Sequence, residues 1–294
     1  MDKRKILAYG KLALICLGIF ACLGILATMA LTVQTISPAA AEEPAVELPI
    51  IMYHSILNSD AKAGKYVITP KTLEEDFAYL KAHGYTAVTI SDLIAYQEGR
   101  KELPQKPIMI TFDDGYYNNY SYAFPLLKKY DMKAVISVIG RYTDEYSASM
   151  EKMNNNYSQL TWDQIREMMD SGYVEFANHS YDMHSDTTRR GVKKKYQEAA
   201  GEYRMAITQD IGQMQAEMKE ETGWEPVCFT YPFGFINDEA QEIIREMGFK
   251  ASLSSYEYVN RITKDPECLF ELGRYNRASG ESMGEFMAKM TDVR

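Results

Sequence analysis

Three short stretches carry side chains whose types and spacing could do chemistry. The first is Thr111-Phe112-Asp113-Asp114-Gly115, closing the apolar run Ile108–Phe112. Adjacent carboxylates resist joint ionisation unless a cation or a donor compensates them. Along a strand they point to opposite faces, and Gly115 offers a sharp turn that can swing both toward one cavity. Asp-Asp-Gly is equally an ordinary structural turn, so the motif alone leaves both readings open. The second stretch is Asn178-His179-Ser180-Tyr181-Asp182-Met183-His184, which follows the run Val174–Ala177. A step of five suits neither one helix face nor one strand face. The two imidazoles are therefore either unrelated surface groups or partners at a strand-to-loop corner. With Asp114 as a third ligand they would form a His₂Asp facial site that leaves positions open for water and substrate. The third stretch is Met52-Tyr53-His54, at the end of the first strand-like run.

The chain has only four His in 294 residues. His83, expected in the last turn of a helix, has a sufficient role there as a favourable charge at the dipole's negative end. Of the other three, His54 and His179 stand at the ends of strand-like runs and His184 follows in the loop after the second.

Those runs are short and apolar on both faces, as buried parallel strands are. They are expected at Leu48–Tyr53, Thr86–Ile90, Ile108–Phe112, Ala134–Ile139, Val174–Ala177, Val227–Tyr231, Ala251–Ser254 and Leu269–Gly273. Helices fill the gaps. Thr69-Pro70 starts one that ends at His83-Gly84. Thr161-x-x-Gln164 reads as a capping box before a helix that stops near Gly172, and Asn237 caps another that ends at Gly248. The longest helix is expected from about Lys193 to Glu221, with Tyr196, Ala200, Tyr203, Ile207, Ile211, Met214 and Met218 on one apolar face. Residues 140–158 read as one long surface loop. Strand–helix alternation over some 250 residues predicts a single α/β domain, either a β/α barrel or a doubly wound sheet, with its active site at the C-terminal strand ends.

The N-terminus differs. Lys3, Arg4, Lys5 and Lys11 precede an uncharged run, Leu12–Val33, long enough to cross a bilayer as a helix. Basic residues on its near side and Glu42-Glu43 beyond it place the remainder outside the cytoplasm. Ala39-Ala40-Ala41 also fits a signal-peptidase site. The expected division is thus residues 1–41 as a cytoplasmic tip with a transmembrane anchor or cleaved signal, and residues 42–294 as an extracytoplasmic domain. The net charge is −9 for the whole chain, and the exported part holds 28 Lys+Arg against 40 Asp+Glu. No basic stripe is available for phosphates, which excludes a general nucleic-acid binder. Cys228 and Cys268 would share an oxidising compartment, where a disulfide between them is open but unproven by sequence.

These motifs together resemble the carbohydrate esterase family that contains the NodB-type polysaccharide deacetylases. Thr111–Gly115 matches its first motif and His179-Ser180 begins its second. The resemblance implies a distorted (β/α)₇ barrel and a metal-dependent hydrolase, with Asp113 as general base, Asp114, His179 and His184 as metal ligands, and Zn²⁺ as the metal. The third motif appears as Thr230-Tyr231-Pro232-Phe233-Gly234 without its usual Arg, and the backbone N–H of Phe233 would serve the oxyanion. No His follows His184, so the family's C-terminal acid is absent. The five-residue His spacing and Met52-Tyr53-His54 resemble instead the poly-N-acetylglucosamine deacetylases, which implies His54 as general acid. Arg274 or Arg277, in the run Gly-Arg-Tyr-Asn-Arg, would replace the missing Arg, with Arg274 preferred and a surface ion pair the alternative for either. The implied partner is a polysaccharide of N-acetylhexosamine units (poly-N-acetylglucosamine, peptidoglycan or chitin-like), with the membrane as a second contact if the anchor is retained and a monomer expected. A glycan-binding protein without activity, or an amidohydrolase on another C–N bond, would use the same residues.

Overall fold

The computed structural model describes residues 45–149 and 152–291. The anchor or signal expected at residues 1–41 lies outside them. Among the described residues no helix is long and apolar enough to cross a membrane.

Twelve strands are present among the described residues. They are β1 (Val46–Leu48), β2 (Ile50–Tyr53), β3 (Ser55–Ile56), β4 (Val67–Ile68), β5 (Thr86–Ala87), β6 (Pro107–Phe112), β7 (Ala134–Val138), β8 (Val174–Asn178), β9 (Cys228–Thr230), β10 (Ala251–Leu253), β11 (Asn260–Ile262) and β12 (Tyr275–Asn276). The main sheet runs β10-β9-β8-β7-β6-β2-β12, with β5 paired to the start of β6, and every pairing in it is parallel. This curled parallel sheet, wrapped by helices, has the character of a distorted β/α barrel. Two small pairs lie outside it, β1 with β11 antiparallel and β3 with β4 parallel.

The strands are two-faced, and the alternation determines where the site can be. Ile108, Ile110 and Phe112 of β6 pack in the core beneath the helices, as do Ile51 and Tyr53 of β2 and Val174 and Phe176 of β8. Ile50, Met109, Val135 and Ala177 face the opposite way, into a second cluster with Cys228, Ala251 and Leu253. Burying each such aliphatic or aromatic side chain contributes about 1.5–3 kcal/mol. Continued at two-residue steps, this inner face carries Ile50 on to His54, Met109 to Asp113, and Ala177 to His179.

Several helix expectations are met at their caps. The helix Pro70–Ala82 is capped by the Thr69 side chain. Trp162–Asp170 has the full Thr161–Gln164 capping box, and Asn237 caps Asp238–Glu246. His83 closes the first of these helices, its ring stacked on Tyr79.

Other expectations are corrected. Pro49, which has no N–H to donate, divides the run Leu48–Tyr53 into β1 and β2. The long helix spans Ala200–Thr222, so Tyr196 lies outside it and is 92% exposed, whereas Tyr203, Ile207, Ile211, Met214 and Met218 are buried. Residues 140–148 are a helix, not loop; it opens against Tyr181 and Met214, and a Cβ on Gly140 would come within 2.7 Å of both side chains. The strand expected at Leu269–Gly273 is instead a short 3₁₀ turn at Pro266–Leu269 and a single bridge at Leu272, and the last sheet strand is β12. Cys228 is buried, Cys268 is half-buried, and both are free thiols.

Candidate functional site

β6 ends at Phe112, and Asp113 continues its inner face, its N–H donating to the Tyr53 carbonyl at 3.0 Å. Asp114 then adopts φ 71° and Gly115 φ 69°. Two consecutive left-handed residues reverse the chain, and the first is not glycine, a conformation that costs roughly 1–3 kcal/mol and recurs at functional sites. The reversal sends the Asp114 side chain into the cavity that Asp113 already faces. A Cβ on Gly115 would meet Val138 Cγ1 at 2.8 Å, so the close pass of this turn over β7 needs glycine.

The corner after β8 uses the same device. His179 follows the strand, and Ser180 has φ 73°. The Asn178 side chain accepts from the Ser180 N–H at 2.8 Å and donates to the Ile211 carbonyl at 3.1 Å. The Asp210 carboxylate, on the long helix, accepts the N–H groups of Tyr181 and Asp182, each at 2.9 Å. The turn is thus tied to the helix, and His184 comes back over His179 with ring centroids 5.1 Å apart. The five-residue step works because a loop, not an element face, carries it.

Asp114 Oδ1 lies 3.1 Å from His184 Nε2 and 3.6 Å from His179 Nε2. It is buried with no hydrogen-bond donor of its own. His179 Nδ1 sits 2.8 Å from the Thr230 carbonyl and donates to it, which leaves the Nε2 lone pair aimed at Asp114. The three groups offer one ligand atom each, all within 4.8 Å of one another. An orphaned carboxylate oxygen facing two imidazole nitrogens is a donor set that fits a divalent cation. Burial pushes Asp114 up, but the two imidazoles beside it prevail and hold it well below the usual carboxylate range.

Asp113 is gripped by Arg274. Nη1 donates to Oδ1 at 2.7 Å and Nη2 to Oδ2 at 2.9 Å, while Nε donates to the Ser254 carbonyl at 2.7 Å. Burial alone would raise Asp113; the guanidinium overrides it and keeps the group ionised, below its ordinary value. Arg277 goes elsewhere, to a buried two-bonded pair with Asp76 joined by the Tyr53 hydroxyl.

His54 faces the same cavity across from these groups. The Asn119 side chain holds its carbonyl at 2.9 Å, and Asn118 holds Ser55 and Ile56. Its ring lies 4.8 Å from that of Tyr66, and Nδ1 is buried without a partner. Burial pushes this imidazole below its usual value, although the Asp113 and Asp114 charges pull it up. Phe233 has φ 56° and places its ring 4.3 Å from that of His184, at the cavity's rim. Burial and the Asp114 charge push the Tyr116 phenol far up, so it stays a proton donor.

The structure therefore brings His54, Asp113, Asp114, His179, His184, Phe233 and Arg274 around one cavity of about 340 Å³. Sequence reasoning missed Asn118, Asn119, Asn178, Asp210, Tyr116 and the Thr230 carbonyl. Asn118-Asn119, four residues beyond the Asp pair, and Asn178, next to His179, had a visible signal in their proximity to the motifs. Asp210 had none.

A family model described as polysaccharide deacetylase matches residues 100–252, just over half of the chain. The chain belongs to the polysaccharide deacetylase family. It is 28% identical over 217 residues to the poly-beta-1,6-N-acetyl-D-glucosamine N-deacetylase of Escherichia coli (strain K12), a match covering 68% of this chain and 32% of that protein. The protein of the same name from Staphylococcus epidermidis is 25% identical over 202 residues, 69% of this chain and 66% of that one. This chain thus spans about a third of the first relative's length and just under two thirds of the second's. Among solved structures, IcaB from Ammonifex degensii superposes with a TM-score of 0.64 at 30% identity, covering 79% of this chain and 92% of that one. The Streptococcus pyogenes deacetylase PplD has a TM-score of 0.68 at 23% identity, with 84% and 99% covered, and supports the fold alone.

Proposed function

We propose that this deacetylase-family chain hydrolyses N-acetyl groups from an extracytoplasmic polysaccharide of N-acetylhexosamine units and releases acetate, acting through a distorted (β/α)₇ barrel over residues 42–294. Its relatives that are named for poly-beta-1,6-N-acetyl-D-glucosamine favour that polymer as substrate. One observation carries the reading: an Arg274-held, ionised Asp113 lies beside the Asp114–His179–His184 cluster, with His54 in the same cavity.

Asp114, His179 and His184 would hold a divalent metal, Zn²⁺ in this reading. When bound, such an ion would polarise an acyl oxygen and lower the pKa of water to about 7. Asp113 takes the proton of the attacking water, and Arg274 keeps both carboxylate oxygens oriented for it. The Phe233 backbone N–H faces the charge that develops on the acyl oxygen. His54 protonates the departing amine. An imidazolium disfavoured by burial gives up its proton readily to that amine. Tyr66 and Phe233, 49% and 44% exposed, flank the opening where sugar rings enter.

We further read residues 1–41 as the anchor or cleaved signal that exports the domain. The test is acetate release by the chain from β-1,6-linked N-acetylglucosamine oligomers and from peptidoglycan, with and without Zn²⁺. Release from the oligomers that needs the metal is expected. No release from any glycan at stoichiometric metal would overturn the reading.

A further inference from the structure

A second recess, of about 350 Å³, opens off the same cluster. It shares Asp114, Tyr116 and His184 with the first cavity, and its outer wall is tyrosine. Tyr142 and Tyr146 stand one turn apart on the helix Gly140–Ala148, a four-residue step that puts them on one face. Tyr157 completes the wall from the following segment, and the Tyr146 hydroxyl donates to its carbonyl at 3.0 Å. The Gln159 amide nitrogen, oriented by its partners, donates to the Asp114 and Gly115 carbonyls at 2.8 and 2.9 Å, which ties this wall to the turn that carries the carboxylates.

The chemistry of this wall is that of a sugar platform. Tyrosine offers a rigid apolar face with a polar tip and loses little conformational freedom when a ligand stacks on it. Tyr157 is 57% exposed, so its ring is not spent on the core. Glu145 lines the same recess, is engaged by Arg141 at 2.9 Å, and sets a polar edge beside the rings. Arg141 also bonds Asp182, on the turn that bears His184, so the recess and the cluster share one rigid frame. Apolar faces with a few fixed polar groups are how concave sites take amphipathic ligands.

We propose that the Tyr142–Tyr146–Tyr157 recess is a second sugar subsite. It holds the hexosamine next to the unit whose acetamide reaches the Asp114–His179–His184 cluster, and so makes the protein select chains over single sugars. The occupant follows from continuity: the recess shares three residues with the acyl cavity, so a ring seated there lies on the same polymer. The proposal rests on the deacetylase reading above.

The experiment uses the full chain with Zn²⁺ and N-acetylglucosamine as monosaccharide and as β-1,6-linked tetrasaccharide. In Tyr157→Ala, kcat/KM on the tetrasaccharide is expected to fall about tenfold, mainly through KM, and several-fold less on the monosaccharide. Tyr157→Phe, which keeps the ring, restores most of the loss. Tyr196→Ala, an exposed tyrosine elsewhere, changes neither. Equal losses on both lengths, or none on either, overturn the subsite. A binding arm separates the two readings: tetrasaccharide binding, followed by tyrosine fluorescence, should weaken about tenfold in Tyr157→Ala. If the unmutated protein releases no acetate from any length, the deacetylase reading fails, and the binding arm alone decides the subsite, with unchanged affinity overturning it.

Discussion

Arg274 and Asp113 lie 161 positions apart and meet through two parallel hydrogen bonds of 2.7 and 2.9 Å, with both side chains almost wholly buried. The guanidinium is itself fixed by the Ser254 carbonyl and by Thr111, whose hydroxyl donates to the Ile51 carbonyl at 2.8 Å. Neither oxygen of the carboxylate can rotate without breaking a bond. A carboxylate held this way stays ionised and presents its remaining lone pairs in one direction.

Replacing this fork with a point charge should show what the orientation contributes. Arg274→Lys is expected to lower kcat by about a hundredfold with little change in KM, because an ammonium cannot make the planar two-bonded contact. Arg274→Ala leaves a buried carboxylate unpaired and should destabilise the fold by about 3–5 kcal/mol, read from urea midpoints. An unchanged kcat in Arg274→Lys would remove Arg274 from the base-positioning role.

His54 is tested through proton donation. His54→Ala should lower kcat by about 10²–10⁴-fold while zinc stoichiometry, measured by metal analysis after dialysis, stays unchanged. If turnover survives, the acid is another group. Loss of bound zinc would make His54 a ligand instead.

Removing the proposed metal ligands separates binding from chemistry. Asp114→Asn and His184→Ala are expected to abolish retention of zinc and acetate release together. For the unmutated chain, a chelator should stop acetate release, re-addition of Zn²⁺ should restore it, and the melting midpoint should fall on chelation. A cation at a thousand times its dissociation constant stabilises the folded state by about 4.1 kcal/mol. A chelator that leaves both activity and melting untouched would refute the metal assignment.

Acid stability should reveal the strap behind the cluster. Between His184 and the long helix, Arg189 donates to the Glu198 carboxylate and to the Lys193 carbonyl, both side chains being mostly buried. The guanidinium holds Glu198 below its ordinary value of 4.5. A carboxylate depressed in the folded state contributes stability that is present above its unfolded value and lost as pH falls through the folded one. Glu198→Gln should therefore be less stable than the parent at pH 7, with the difference between the two urea midpoints shrinking as the pH drops below 4.5. A difference that does not change with pH would show that the pair contributes no linked stability.

Much of the framework is legible in the chain because local rules govern it. Thr69, Thr161 and Asn237 announce helix starts by chemistry within four residues, and each caps a helix in the structure. The runs IIMY, PIMITF and AVISV read as buried parallel strands because both faces are apolar. The errors fall where tertiary contact overrides local pattern. Residues 140–148 lack an N-terminal side-chain cap, and their helix packs against the long helix and the turn at Tyr181. Tyr196 continues the apolar spacing of the long helix yet lies before its start, where the chain is tied by the Arg189–Glu198 pair instead.

The sequence by itself determined that His54, His179, Asp113 and Asp114 stand at the ends of apolar runs, with His184 in the loop beyond one of them. Two-residue alternation then aims His54, Asp113 and His179 at one side of any parallel sheet built from those runs. It preferred Arg274 to Arg277 but held no physical ground for that choice, since both are basic residues in one short stretch near the end. The folded sheet made that choice. Tyr275 of β12 turns to the core beneath the helices, so Arg274 faces inward to Asp113, and Arg277, an odd three residues on, reaches Asp76 on the outer side. The left-handed backbone at Asp114 and Ser180 was likewise beyond reach of the sequence, because only the packed barrel holds two non-glycine residues in a conformation their side chains disfavour.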